Sequence, residues 1–71
     1  MQKKLREQLE FRKYMLEDPH KRYDAQDFME DWRRYQKSVE ESYYLGLISD
    51  SVHDGCKKVL MEYMHLFNRA A

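Results

Sequence analysis

The chain has 71 residues, with 13 basic and 13 acidic side chains, one Cys, two Gly and one Pro. A compact chain of this length buries only about 63% of the surface that its extended form exposes, so it can build one small core. A second domain is excluded, and little of the core could be given up to a substrate pocket. Residues 1–71 are therefore expected to form a single domain.

The composition favours a folded protein of the cytoplasm. Aromatic residues make up 14% of the chain and the formal net charge is zero, whereas disordered chains usually lack aromatic residues and carry net charge. A single Cys cannot form an internal disulfide, which is typical of a reducing compartment. The apolar runs are far too short to span a membrane, so no membrane contact is expected.

The first predicted helix covers about residues 3–17 and carries apolar side chains on two opposite sides. One side consists of Leu5, Leu9 and Leu16. The other side, which we call the outer face of this helix, consists of Phe11, Tyr14 and Met15. One apolar side is enough to dock the helix on its neighbours, so the outer face is surplus. Residues 18–23 follow neither pattern and are predicted to be a connector.

The second predicted helix covers about residues 24–45. Asp24 can cap the first turn, and Tyr23 before it can pack onto Phe28. Gly46 can adopt the left-handed conformation that ends a helix. One face of this helix is apolar and is formed by Ala25, Phe28, Met29, Trp32, Tyr35, Val39 and Tyr43.

The third predicted helix covers about residues 50–68, after Ser49 and Asp50, which can cap its start. Only residues 46–49 separate it from the second helix, which forces the two helices into an antiparallel hairpin. Leu47 and Ile48 are expected to plug the end of the core. The apolar face consists of Val52, Cys56, Val59, Leu60, Tyr63 and Phe67. The sequence therefore predicts an all-α fold, a three-helix bundle in which the first helix packs on a long helical hairpin.

No catalytic pattern is present in the sequence, so we expect a protein that is not an enzyme and uses no cofactor or metal. His53 and Cys56 are spaced as half of a metal site, but a structural zinc normally needs four ligands. The remaining candidates are acidic, and their helical positions predict a solvated face rather than acid–base chemistry. These residues are Asp27, Glu30, Asp31, Glu40 and Glu41.

Basic residues of the first two helices could form a positive strip that contacts nucleic acid. The candidates are Lys3, Lys4, Arg6, Arg12, Lys13, Arg33 and Arg34. Acidic residues are interleaved with them, and pairs such as Glu30 with Arg34 have the spacing that stabilises an exposed helix. An ordinary solvated face is the favoured interpretation, and nucleic-acid binding is kept as an alternative.

Apolar side chains outside the predicted core favour contact with another protein, because Tyr and Met are enriched at interfaces. The predicted partner-binding residues are Phe11, Tyr14, Met15, Tyr44 and Met61. The predicted function is a small non-enzymatic interaction module, a regulator or inhibitor of the size class that phages and mobile elements often encode. A second alternative is a structural homodimer or larger bundle in which the outer face of the first helix pairs with itself.

Overall fold

The computed structural model describes residues 1–20 and 22–70, with side chains for all of these except residues 69 and 70. Three helices account for almost all of this length: α1 (Gln2–Glu17), α2 (Ala25–Tyr44) and α3 (Asp50–Ala70). The predicted all-α fold is confirmed, and each predicted helix boundary lies within two residues of the observed one. The part of the chain that is described contains no strand.

The helix ends follow the predicted chemistry. The Asp24 side chain accepts a hydrogen bond from the backbone N–H of Asp27 at 2.8 Å, which caps α2. The Ser49 hydroxyl accepts one from the N–H of Val52 at 3.2 Å and caps α3 in the same way. Gly46 has φ +75° and ends α2 as expected.

Contacts between the helices give their directions. The Tyr35 hydroxyl of α2 donates to Gln8, and Asp31 pairs with Arg12, so α1 and α2 are antiparallel. Between α1 and α3, Gln2 lies against Gly55, and the Tyr63 hydroxyl donates to Glu10. The second contact lies further along both helices than the first, so α1 and α3 are parallel. The first helix thus packs on the hairpin of its own chain. The bundle is rod-shaped, with extents of 40 × 18 × 17 Å.

One buried cluster runs between the three helices. It consists of Leu5, Leu9, Phe28, Val39, Cys56, Val59, Leu60 and Tyr63. Phe28 stacks on Phe67 with ring centroids 5.7 Å apart. Trp32 packs on the cluster, and its Nε1–H donates to the Leu60 carbonyl at 2.8 Å, so the polar atom of the indole is satisfied.

Two residues expected in the core do not lie there. Leu47 was expected to plug the core beside Ile48, but only Ile48 packs against it, and Leu47 is 72% exposed. Tyr43 shares the apolar face of α2, yet it is exposed on one side and stacks on His53 with the other. Leu47 lies in the α2–α3 connection, where the backbone departs from the helical period on which the prediction depends. Tyr43 lies in the last turn of α2, at the end of the bundle, where His53 covers only one face of its ring.

Candidate interaction surface

The predicted partner-binding residues are mostly exposed. Phe11 and Tyr14 on the outer face of α1 expose more than half of their surface, as does Met61 on α3. Tyr44, the last residue of α2, is 91% exposed. Met15 is the exception, because it is partly buried.

These side chains do not form one patch. Arg12 of α1 lies level with Asp31 of α2, and the two helices are antiparallel, so Phe11 and Tyr14 lie beside the first half of α2. Tyr44 follows Asp31 by 13 positions, which places it about 20 Å further along the bundle axis. The structure thus separates two exposed apolar regions, the outer face of α1 and the end of the helical hairpin.

The second region is larger than the sequence indicated. Leu45 is 70% exposed and Leu47 is 72% exposed, so they join Tyr44 in a run of large apolar side chains. We call Tyr44, Leu45 and Leu47 the hairpin tip. The sequence-based prediction missed Leu45 altogether and placed Leu47 in the core.

The geometry of the helix end explains why Leu47 faces solvent. The N–H of Gly46 donates to the Tyr43 carbonyl at 3.0 Å, and the N–H of Leu47 donates to the Ser42 carbonyl at 2.9 Å. This pair of bonds is a Schellman motif, in which the residue at the position of Leu47 often packs on an apolar side chain one turn back. Here that turn offers Ser42 and Glu41, which are polar. The exposure of Leu47 could therefore have been predicted from the sequence, because Leu47 follows the terminating Gly46 and the preceding turn has no apolar side chain for it to pack on.

Four side chains beneath the tip fasten α2 to α3. His53 is buried, its Nε2 lies 3.0 Å from a carboxylate oxygen of Glu40, and its ring stacks on Tyr43 with centroids 3.8 Å apart. The Tyr43 hydroxyl donates to Asp50 at 2.8 Å, and this bond raises the pKa of Tyr43 above its ordinary value. These contacts join the last turn of α2 to the first turn of α3, so the tip is held on a fixed support.

Charged groups of both signs lie near the tip. Glu40 and Glu41 line an open depression together with Tyr44 and Leu45. Residues 38–54 contain four carboxylates and no Lys or Arg, in a chain whose total charge is zero. The neighbouring cations include Lys37, whose Nζ lies 4.0 Å from Glu41. They also include Lys4 and Lys3 at the start of α1, which line grooves with Val39 and Val52 respectively.

The basic residues that could contact nucleic acid are distributed around the bundle. Lys4 lines an open groove of about 650 Å³ between α1 and α2, whereas Lys13 lines one of about 310 Å³ between α1 and α3. Arg6 pairs with Glu62 of α3 at 3.4 Å. Lys3 and Arg33 are exposed. Several of these cations thus lie on different sides of the bundle or beside carboxylates, and the described contacts do not gather them into one strip.

One of these cations belongs to a partly buried polar cluster instead. Arg12 Nε lies 3.0 Å from Asp31 Oδ2, although its N–H has no acceptor in hydrogen-bond geometry. Tyr23 donates to the same oxygen at 2.6 Å, and Arg34 lies 3.9 Å from the other one. Burial and then the bond to Asp31 raise the pKa of Tyr23. Asp31, expected on the solvated face, therefore holds α1, the connector and α2 together.

No metal-binding group of three or more His, Cys, Asp or Glu side chains occurs among the described residues. Cys56 is fully buried, and this burial raises the pKa of its thiol. Its neighbour His53 is engaged with Glu40 and Tyr43. In the described part of the chain, no helix has the length and apolar character needed to cross a membrane.

Comparison of the chain with protein-family models, with curated proteins and with solved structures gives no significant match.

Proposed function

We propose that the chain is a small non-enzymatic interaction module of the cytoplasm, a regulator or inhibitor that acts by occupying a surface of another protein. One observation carries the proposal: the buried cluster is completed without several large apolar side chains, which remain exposed. They are Phe11, Tyr14, Tyr44, Leu45, Leu47 and Met61.

Exposed apolar groups have a cost in solubility, and large groups of them usually mark a binding surface. Isolated examples are common on any protein and need no explanation. At the hairpin tip, however, three of them lie within four consecutive residues. Tyr and Leu side chains of this size bury enough surface on binding to anchor an interface.

Affinity purification of the tagged full chain from the cells that encode it tests the proposal. The expected result is a protein that co-purifies and then binds the purified chain in a two-component mixture. If no protein binds in such a mixture and the chain remains an inert monomer, the proposal is wrong.

Two parallel measurements separate the alternatives. Light scattering at high micromolar concentration reports a homodimer or larger bundle. Titration with DNA and RNA at two salt concentrations reports phosphate contacts, because real contacts lose affinity steeply as salt rises. A stable oligomer or a salt-sensitive nucleic-acid complex, without a protein partner, would replace the proposed function by the matching alternative.

A further inference from the structure

We infer that the hairpin of α2 and α3 can take its third helix from a second copy of the chain, so that two copies exchange α1 and form a swapped dimer. This goes beyond the proposed function, because it concerns the surface of the hairpin that α1 covers rather than the exposed apolar side chains. The occupant of that surface is α1 itself, and its contacts are therefore known.

The contacts of α1 with the hairpin specify one helix in one register. Leu5 and Leu9 of α1 are buried in the cluster between the helices. Polar contacts surround these two leucines, and they join Arg6 to Glu62, Gln8 to Tyr35, Glu10 to Tyr63 and Arg12 to Asp31. A second copy of the chain presents the same leucines and the same charges at the same spacing. The surface is thus specific for the helix α1 but not for the copy from which α1 comes.

The hairpin is fastened by contacts that do not involve α1. The Nε1–H of Trp32 donates to the Leu60 carbonyl at 2.8 Å, and Nε2 of His53 lies 3.0 Å from a carboxylate oxygen of Glu40. Residues 45–49 join the two helices directly and keep them side by side. The pairing of α2 with α3 within one copy is therefore retained when α1 is exchanged.

The ends of α1 make this helix dependent on docking. Met1 occupies the N-cap position, and its side chain has no oxygen that could accept a capping hydrogen bond. Lys3 and Lys4 lie in the first turn and Glu17 in the last, so these charges oppose the helix dipole. By contrast, α2 and α3 each begin with a side-chain cap. The helical form of α1 is stabilised mainly by the docking surface, whichever copy provides that surface.

The connector is the part of the chain that changes in the exchange. Residues 18–24 join α1 to α2, and they reverse the chain because these helices are antiparallel. The Tyr23 hydroxyl donates to Asp31 at 2.6 Å and holds the α2 end of the connector, so the change of direction is confined to the residues before Tyr23. In the dimer these residues extend, and each α1 reaches the hairpin of the other copy. Domain swapping of this kind keeps the contacts between the helices.

Protein concentration decides between the two forms. In the monomer, the short connector holds α1 near its own hairpin at an effective concentration on the order of millimolar. The swapped dimer of the wild-type chain is therefore expected at protein concentrations of about 1 mM. Substitutions that disfavour docking within one copy should shift the exchange to lower concentrations.

The test uses two full-length variants whose charges match only between copies. The first carries Arg6→Glu with Arg12→Glu on α1. The second carries Glu62→Arg and Asp31→Arg on the hairpin. Within either variant, like charges meet at both contacts, whereas a swapped dimer of the two variants has opposite charges at every one of them. A single chain with all four substitutions is the matched control, because its charges match within one copy.

The variants are unfolded in urea and refolded separately or as an equal mixture at about 100 μM, and size-exclusion chromatography with light scattering measures the dimer. Four restored ion pairs should raise the dimer fraction of the mixture at least about tenfold above that of either variant alone. Circular dichroism should show the helix content of the wild type in this dimer, and the control chain should be a helical monomer at the same concentration.

Two results would overturn the inference. If the control chain folds as a monomer while the mixture gives no dimer, the hairpin accepts α1 only from its own copy. If each variant alone dimerises as well as the mixture, the copies associate through exposed faces and exchange no helix.

A second variant decides the case in which the control chain does not fold. Deleting residues 18–24 from the wild-type chain joins α1 directly to α2, so α1 can no longer turn back onto its own hairpin. A helical dimer formed by this variant supports the exchange, whereas a monomer or an unfolded chain contradicts it.

Discussion

The middle of the bundle and the hairpin tip use the same kinds of large side chain in opposite ways. In the middle, Trp32 and Tyr63 pack against the core, and each polar atom has a bonding partner on another helix. At the tip, Tyr44, Leu45 and Leu47 face solvent, and the backbone N–H groups of Leu45, Gly46 and Leu47 donate to carbonyls of the last turns of α2. The first arrangement stabilises the fold, and the second presents apolar surface on a fixed frame.

Residue type alone therefore does not assign a role to a side chain in so small a protein. Aromatic and aliphatic side chains are needed for the core, and a chain of 71 residues has few of them to spare. Those that remain exposed on an ordered connection are therefore the more informative ones. The predictions below test whether the two regions really differ in their contribution to stability.

Truncation in the middle should have the largest effect. Leu9 is fully buried between the three helices, and Leu9→Ala should lower the free energy of unfolding by about 3 to 5 kcal/mol, because a cavity remains. Leu47→Ala, the same change at the tip, should alter it by no more than about 0.5 kcal/mol. Urea unfolding of both variants measures the contrast, and equal losses would contradict it.

High pH should weaken the middle through the buried Tyr63 and the partly buried Tyr23. Burial and the bond to Glu10 raise the pKa of Tyr63 above its ordinary value, and burial and the bond to Asp31 do the same for Tyr23. Below a pH of about 10 the folded and the unfolded chain both keep the protons of these two hydroxyl groups, so the two tyrosines contribute their full stabilisation of the fold. As the pH rises further, the unfolded chain loses them first, so stability falls by up to about 1.4 kcal/mol per pH unit for each tyrosine.

The matched variant for this effect is Tyr23→Phe with Tyr63→Phe. Unfolding free energies measured between about pH 9 and pH 11.5 should decline less steeply in this variant than in the wild type, because the two titrating groups are gone. An unchanged decline would show that other groups cause the alkaline loss.

A smaller effect is expected where α1 meets the start of α3. A Cβ on Gly55 would clash with the Gln2 side-chain oxygen, which is the far end of a flexible side chain. Gly55→Ala should therefore displace Gln2 and gain up to about 1 kcal/mol of helix propensity. The gain should be largest in a Gln2→Ala background. Destabilisation in that background, measured by urea unfolding, would mean that the helices need the glycine for close backbone approach.

Much of the fold could be predicted because it follows from helical periodicity and from end signals. The leucine side of α1 and the apolar face of α3 repeat with the period of a helix, and Asp24, Gly46 and Ser49 act at the helix ends as their chemistry predicts. The parallel packing of α1 against α3 could not be read in this way, because it depends on contacts such as Tyr63 with Glu10 that are 53 positions apart.

The candidate site was only half predictable for a related reason. Phe11, Tyr14 and Met61 lie off the helical stripes, so the helical wheel indicates their exposure. Leu45 and Leu47 lie at and after the end of α2, where the helical period no longer predicts which side chains are buried. The exposure of Leu47 follows from the polar side chains in the last turns of α2, which give it nothing apolar to pack on. Asp31 was predicted to face solvent because a helical wheel considers one helix at a time, whereas Arg12, which pairs with this carboxylate, belongs to α1.

Photo-cross-linking shows which exposed apolar region of the bundle contacts a partner. Tyr44→p-benzoylphenylalanine places a cross-linker on the most exposed side chain of the tip, Phe11→p-benzoylphenylalanine places it on the outer face of α1, and Gln36→p-benzoylphenylalanine serves as an exposed polar control. We expect a purified partner to be cross-linked from position 44 and much less from positions 11 and 36. Cross-linking from position 11 with none from position 44 would contradict it.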